Sequence, residues 1–90
     1  MLTQNQINRA KLVSKCAQEY CLKENKRDVK PKELMPYLIE KGVYNKVKTI
    51  STAQIRDLLR DLDVTNSLDL IPQIRMERRG IYRYWYFNAV

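Results

Sequence analysis

Two short stretches of the chain carry hydrogen-bonding and cationic side chains at regular spacings. Along a predicted helix, these side chains are Thr52, Gln54, Arg56 and Arg60. At a predicted tight turn, Arg78 and Arg79 directly precede Gly80. Guanidinium and amide groups donate hydrogen bonds in fixed directions, which suits planar acceptors such as phosphates and the edges of bases. The two stretches are therefore candidate binding surfaces for an anionic partner.

Tyrosines alternate with other residues near the C-terminus, at Tyr82, Tyr84 and Tyr86. A period of two places them on one face of a strand, and the register predicted below puts Arg75 of the preceding strand on that face. Such a row can pack sideways as ordinary strand residues, donate hydroxyl hydrogen bonds to phosphates, or stack on unpaired bases. The sequence leaves these alternatives open, and Arg75 and Arg83 are further candidate contacts for the anionic partner.

Several kinds of chemistry are disfavoured by the composition. The chain has no histidine, which excludes imidazole catalysis and histidine ligation of a metal. Cys16 and Cys21 lie five residues apart, about 140° around a helix, so we expect buried free thiols rather than a disulfide or a metal site. No glycine-rich phosphate loop or paired-carboxylate motif is present. We therefore predict a protein that is not an enzyme and has no cofactor, metal or small-molecule ligand.

The distribution of charge favours a polyanionic partner. Seventeen Lys and Arg against ten Asp and Glu give a net charge of +7, which attracts nucleic acid in a salt-dependent way. Residues 51–70 are the exception, with two basic and four acidic side chains. Phosphate contacts are therefore expected mainly from the arginine turn, from Lys46 and Lys48, and from the first helix. Arg56 and Arg60 also have the alternative of pairing with neighbouring aspartates on a solvated face.

Hydrophobic periodicity predicts the elements that position these residues. A first helix is expected from Gln4 to Glu24, capped by Thr3 with Gln6 in a capping box. A second helix starts at Pro31, with Pro36 either delaying its start or bending it, and Gly42 ends it. A third covers residues 51–63, capped by Ser51 or Thr52. A brief extended piece is expected at Val29.

The last segment changes to a period of two and predicts a β-hairpin. Strands are expected over residues 71–77 and 81–87, around the Arg78-Arg79-Gly80 turn. If Arg79 and Gly80 form a two-residue loop, Arg78 faces Ile81 and Ile74 faces Trp85. One face then collects the residues that cover the core, which are Ile74, Met76, Trp85 and Phe87. The parity of this register is a firmer prediction than the turn itself, because a loop of four residues preserves it.

The predicted fold class is α+β and mostly helical, a single domain over residues 1–90 with a three-helix bundle and a C-terminal β-hairpin wing. This order of elements resembles the winged helix-turn-helix superfamily of DNA-binding domains, from about Ile7 to Phe87. The resemblance implies that helix 51–63 is the recognition helix in the major groove and that residues 78–80 form the tip of a wing on the phosphate backbone.

On this basis the expected function is binding of double-stranded DNA, as a transcriptional regulator or an accessory factor in replication or recombination. The alternatives are a protein–protein interaction module on the same scaffold, and a single-stranded nucleic-acid binder that uses the tyrosine row. A homodimer stays open, because one small domain makes few base contacts. No membrane-spanning stretch or secretory signal is predicted, so the expected location is the cytoplasm, or the nucleus if the host has one.

Overall fold

The computed structural model describes residues 2–45 and 52–90. Its order of elements is three helices followed by a two-stranded antiparallel hairpin, which confirms the predicted α+β, mostly helical class. The elements are α1 (Gln4–Lys23), α2 (Pro31–Glu40), α3 (Ala53–Val64), a 3₁₀ turn (Leu68–Leu70), β1 (Ile74–Arg79) and β2 (Tyr82–Phe87). None of the helices in this part of the chain is long and apolar enough to cross a membrane.

The start of α1 is fixed by the predicted capping box. The Thr3 hydroxyl accepts from the Gln6 amide at 3.1 Å, and the Gln6 side chain accepts from the Thr3 amide at 2.8 Å. Two of the amides that a helix leaves without a partner at its start are thus satisfied.

All three helices end with the same backbone motif. The residue after each C-cap has a positive φ, and the next amide bonds back to a carbonyl five residues earlier. In α1 the residue with positive φ is Asn25 (51°), and the Lys26 amide donates to the Cys21 carbonyl. In α2 it is Gly42 (78°), and the Val43 amide donates to the Leu38 carbonyl. In α3 it is Asn66 (56°), and the Ser67 amide donates to the Leu62 carbonyl. Two of the three turning residues are asparagines, which tolerate this conformation better than most side chains.

Pro36 does not delay the start of α2, which runs from Pro31 to Glu40 with the proline inside it. The missing amide of Pro36 would have donated to the carbonyl of Lys32, four residues earlier. Both residues are exposed, so water can satisfy that carbonyl. The proline is tolerated because the lost hydrogen bond lies on the solvated side of the helix.

The helices and the hairpin share one hydrophobic core. Its members include, from α1, Ala10, Val13, Ala17 and Cys21; from α3, Ile55, Leu58, Leu59 and Leu62; and from β2, Trp85 and Phe87. Both cysteines are buried free thiols, as predicted, and the Cys21 thiol lies 3.7 Å from the Phe87 carbonyl. The hairpin is thus attached to α1 through the same core that holds the helices.

A buried amide side chain fixes the chain just before the hairpin. Gln73 accepts a hydrogen bond from the Ser14 hydroxyl at 2.6 Å and donates to the Gln18 side chain at 3.3 Å. Both partners lie on α1, and Gln18 also binds the backbone of Val90. These contacts satisfy polar groups that would otherwise be costly to bury.

The register of the hairpin differs from the prediction by two residues. Ile74 pairs with Phe87 and Arg79 with Tyr82, so the loop is Gly80-Ile81 and not Arg79-Gly80. The predicted pairing of Arg78 with Ile81 is therefore wrong, and Arg78 faces Arg83. The reason is the backbone conformation of the turn. Gly80 has a positive φ of 61° and Arg79 does not, which fits a two-residue loop with glycine in its first position. With glycine in the second position, as predicted, Arg79 would also need a positive φ.

The parity of the register is confirmed despite this shift, because two residues is an even number. Ile74 and Met76 lie opposite Phe87 and Trp85 on one face, and this face covers the core. The opposite face carries the tyrosine row, Tyr82, Tyr84 and Tyr86, opposite Arg79, Glu77 and Arg75.

Val29 extends the hairpin on its other side. It forms an isolated antiparallel bridge with Phe87, with N···O distances of 3.0 and 2.8 Å, which confirms the predicted extended piece. Strand β2 thus lies between β1 and Val29, and the residues that follow Val29 are brought to its outer edge.

Gly42 offers a test of how these helix ends contribute to stability. No heavy atom lies within 4 Å of the place where a Cβ would stand, so Gly42→Ala adds only conformational strain. We expect it to lower the free energy of unfolding in urea by about 1–2 kcal/mol. Gly42→Asn should cost less, since asparagine accepts the left-handed region. An equal loss for both substitutions would contradict this explanation.

Candidate nucleic-acid interface

A groove runs along the outer edge of β2, with a volume of about 440 Å³. We call it the edge groove. Its lining residues are Lys30, Pro31, Lys32, Thr52, Arg56, Arg79 and the five consecutive residues 82–86. Because consecutive strand residues point to opposite faces, a lining made of all five shows that the groove follows the edge of the strand and neither of its faces alone.

The edge groove is strongly cationic. Five of its lining side chains are Lys or Arg, and none of the described residues that line it is acidic. Lys30, Lys32 and Arg56 make no ion pair with any residue in the described ranges 2–45 and 52–90. Their charges are therefore available to a ligand.

Two helices also begin at this groove. Lys30 and Thr52 are the N-cap residues of α2 and α3, and neither side chain makes a capping hydrogen bond. The N-terminal end of a helix carries a partial positive charge, which adds to the field of the lysines and arginines. Helix starts combined with free cations suit a phosphate group.

The tyrosine row is already in contact with arginines of the neighbouring strand. The Arg75 guanidinium lies 4.4 Å from the centroid of the Tyr86 ring, and that of Arg79 lies 5.2 Å from the Tyr84 ring. Tyr82, at 63% exposure, has no such contact with the described residues. The row is thus a packed surface of alternating rings and guanidinium groups over most of its length.

Carboxylates neutralise the arginines of this face. Arg75 donates to Glu77 at 2.6 Å and to Asp28 at 2.9 Å, and Arg79 donates to Glu77 at 3.0 Å. The hydrogen bond from Arg75 is the main reason that the pKa of Glu77 lies below its usual value, and the same side chain lowers the pKa of Asp28. Arg75 and Arg79 are therefore less available to an anion than their exposure alone indicates.

The other two hairpin arginines are held by a single aspartate of α3. Asp63 accepts from Arg83 Nε at 2.8 Å and from Arg78 Nη2 at 3.1 Å, both through Oδ2. The Asp63 side chain is only 17% exposed. This shared carboxylate joins the end of α3 to the hairpin and sets the direction of both guanidinium groups.

The predicted contact residues of α3 lie at three places on the surface. Thr52 and Arg56 line the edge groove, and Arg60 lies in an adjoining cleft, where it pairs with Asp57 at 3.5 Å. Gln54 lies in a different cavity, beside the N-terminal half of α1. The structure therefore does not bring Gln54 and Arg56 together.

The sequence analysis did not predict Lys30 and Lys32 of the groove, and the predicted Lys46 and Lys48 cannot be placed. Lys46 and Lys48 lie outside the described residues, as does the alternative cap Ser51. Lys30 and Lys32 flank Pro31 in a segment that the sequence marks only as a loop and helix start. The signal that could have found them is the extended residue Val29, since a strand added beside β2 carries the next residues to its edge.

The cavity that contains Gln54 has a volume of about 570 Å³ and is lined mainly by polar side chains, with Tyr44 at one wall. Tyr44 is buried, and its hydroxyl has no hydrogen-bond partner among the described residues. The Arg9 guanidinium lies 4.9 Å from the centroid of its ring. Burial raises the pKa of Tyr44 to about 12.

In the comparisons with known proteins, no family model, curated protein or solved structure matches the chain. The interpretation of the edge groove therefore depends on its geometry and charge.

Asp63→Ala tests the attachment of the hairpin to α3. Removing the shared acceptor leaves two guanidinium groups without their partner, so we expect the free energy of unfolding to fall by about 1 kcal/mol. Asp57→Ala is the matched control, because Asp57 makes one longer and more exposed ion pair and should have a much smaller effect. Equal losses for the two variants in urea unfolding would show that Asp63 does not hold the hairpin.

The buried hydroxyl of Tyr44 predicts a loss of stability at high pH. Between about pH 10 and 12 the tyrosine ionises in the unfolded chain but stays protonated in the folded one. Unfolding then releases a proton, so the stability of the fold falls as the pH rises. Tyr44→Phe should reduce this fall without weakening the fold near neutral pH. Tyr82→Phe, which removes an exposed tyrosine hydroxyl, is the comparison variant. An unchanged pH profile for Tyr44→Phe in urea unfolding would contradict this assignment.

Proposed function

We propose that this protein is a non-enzymatic DNA-binding protein that holds the phosphate backbone of a duplex in the edge groove. The observation that carries the proposal is the convergence of five cations and two helix starts in a groove that none of the described carboxylates lines. A chain with this arrangement attracts a polyanion and gives it a defined binding position.

Base contacts in this proposal come from α3, as the resemblance to winged helix-turn-helix domains implies. Arg56 is exposed, lies at the wall of the groove, and has no ion-pair partner among the described residues. It can therefore donate two parallel hydrogen bonds to a guanine while the groove holds the adjacent phosphates. Arg60 shares its charge with Asp57, so we assign it a smaller role.

The roles of the hairpin arginines change from the sequence-based expectation. Arg78 and Arg79 at the tip were expected to provide the main phosphate contacts, but Asp63 and Glu77 partly neutralise them. Lys30 and Lys32 have no such partners among the described residues. We therefore assign the main phosphate contacts to these two lysines and a supporting role to the tip of the hairpin.

A duplex fits this surface better than a single strand. Binding of unpaired bases needs aromatic faces that are free to stack. Arg75 and Arg79 lie over the rings of Tyr86 and Tyr84, so a base would have to displace a guanidinium that is also ion-paired, or find the other face of the ring open. Phosphate binding in the edge groove needs no such displacement.

Within this proposal, the protein serves as a transcriptional regulator or as an accessory factor in replication or recombination.

A lysine pair provides the test. Lys30→Ala with Lys32→Ala should weaken binding to a random-sequence duplex and reduce the slope of log affinity against log salt by about 1.8, since each phosphate contact contributes about 0.9. The control is Lys11→Ala with Lys15→Ala on α1, which removes the same charge from another exposed surface. Gel-shift titrations at several salt concentrations measure both slopes. The same slope in both double variants would show that binding reflects net charge and not the edge groove.

A further inference from the structure

The outer edge of β2 has main-chain groups that make no hydrogen bond with the described residues 2–45 and 52–90. The amide and the carbonyl of Phe87 both bond to Val29. Hydrogen-bonding directions alternate along an antiparallel strand, so the groups of Arg83 and Trp85 point to the same side as those of Phe87. The Asn88 amide donates to Gln73 on the opposite side, which agrees with this alternation.

Val29 is the end of the pairing on this side. After it the chain turns into α2 at Pro31, so no described residue continues the ladder beside Trp85 and Arg83. Their amides and carbonyls make no hydrogen bond with another described residue on that edge. Both residues line the edge groove, where Arg83 is partly exposed and Trp85, as a whole residue, is 5% exposed.

An open strand edge is a template for another strand, and proteins usually cover or block it. Here the open edge lies at a concave surface whose volume is within the range of roughly 300–1,000 Å³ for ligand pockets. The cations around it that have no ion-pair partner among the described residues are Lys30, Lys32 and Arg56. The groove therefore suits an extended chain with negative side chains.

We propose that the edge groove binds an extended acidic peptide segment of a partner protein, which pairs with β2 and continues the sheet from Val29. Main-chain hydrogen bonds to Arg83 and Trp85 provide the pairing, and carboxylates of the segment contact Lys30, Lys32 and Arg56. In strand addition of this kind, the backbone bonds give affinity and the alternating side chains give selectivity. A segment without acidic side chains would keep the backbone pairing but would lack the contacts to Lys30, Lys32 and Arg56.

The regulatory consequence rests on the proposed function. The peptide and the duplex use the same lysines, so the acidic segment excludes DNA from the edge groove and acts as a competitor of it. The strand addition itself does not depend on DNA binding, because it follows from the open edge and the surrounding charge.

The probe is a fluorescein-labelled octapeptide of alternating Glu and Val. Its control is the same peptide with N-methyl groups at the residues whose amides would point to β2. The methylated peptide keeps the charge but lacks the main-chain donors to β2. In fluorescence anisotropy the first peptide should bind at least about tenfold more tightly than the second, since each lost hydrogen bond weakens binding several-fold. Equal affinities would overturn the proposal in favour of simple charge attraction.

Amide hydrogen exchange locates the pairing. The amides of Arg83 and Trp85 should gain protection when the octapeptide is added, while those of Tyr84 and Tyr86, which point to β1, should change little. Protection of Arg83 and Trp85 that rises with protein concentration alone would identify a second copy of this chain as the occupant and overturn the proposal. No change in protection on adding the peptide would also overturn it.

A substitution at Arg83 separates the backbone from the side chain. Arg83→Ala and Arg83→Pro both remove the guanidinium, but only proline also removes the amide donor at the open edge. The proline variant should bind the octapeptide more weakly than the alanine variant. If Arg83→Pro does not fold, the exchange measurement on the unaltered protein decides the question.

The two proposals fail in different ways. Octapeptide binding with protected Arg83 and Trp85 amides, but without any duplex binding, supports the strand addition and removes the proposed DNA function. Duplex binding that depends on Lys30 and Lys32, with no octapeptide binding, keeps the DNA function and overturns the strand addition. If both bind, the unlabelled duplex should displace the labelled octapeptide.

Discussion

The pairing of Val29 with Phe87 is the contact on which the candidate site depends. Two backbone hydrogen bonds, at 3.0 and 2.8 Å, fix the segment between α1 and α2 against the last residue of the hairpin. Phe87 is itself fully buried in the core, so this contact has a rigid base. Because Lys30 directly follows Val29 and Lys32 lies in the first turn of α2, their position beside β2 is a consequence of strand pairing. Without the bridge, the start of α2 would not be held beside β2 and the groove along the strand would not form.

Ion pairing then decides which of the many cations can act. The chain has seventeen Lys and Arg, but all four hairpin arginines have carboxylate partners, which are Asp28, Asp63 and Glu77. The pairs to Asp28 and Glu77 are largely exposed and add little stability individually, whereas Asp63 is mostly buried. All of these pairs orient the guanidinium groups and lower the local field. The available positive charge of the described hairpin region is therefore concentrated in the edge groove and not at the tip of the hairpin.

The fold was largely predictable because it follows from local patterns. Hydrophobic periodicity and capping residues located the three helices, and the even spacing of Ile74, Met76, Trp85 and Phe87 identified the buried face of the hairpin. The register was not predictable from these patterns, since a shift of two residues keeps every side chain on its face. The candidate site was harder to predict than the fold. Arg56 and Thr52 were identified from the sequence. The partners of Arg78 and Arg83 and the position of Lys30 were not, because they depend on contacts distant in sequence. A single carboxylate, Asp63, lies 15 and 20 residues from the two arginines it binds, and no local pattern indicates it.

The edge groove has two properties that would act differently on a phosphate backbone and on an acidic peptide: its cations and its open strand edge. The lysines would attract negative charge from either ligand. Only a peptide could use together the amides and carbonyls of Arg83 and Trp85, which have no partner among the described residues on that edge. A phosphate can accept from the two amides, while the two carbonyls would remain without donors and would repel it. The carbonyls therefore favour a ligand that alternates donors and acceptors, which is the property of a polypeptide backbone. In the two proposals, charge would set how strongly the groove attracts a polyanion, and the main chain of β2 would discriminate between the two classes of ligand.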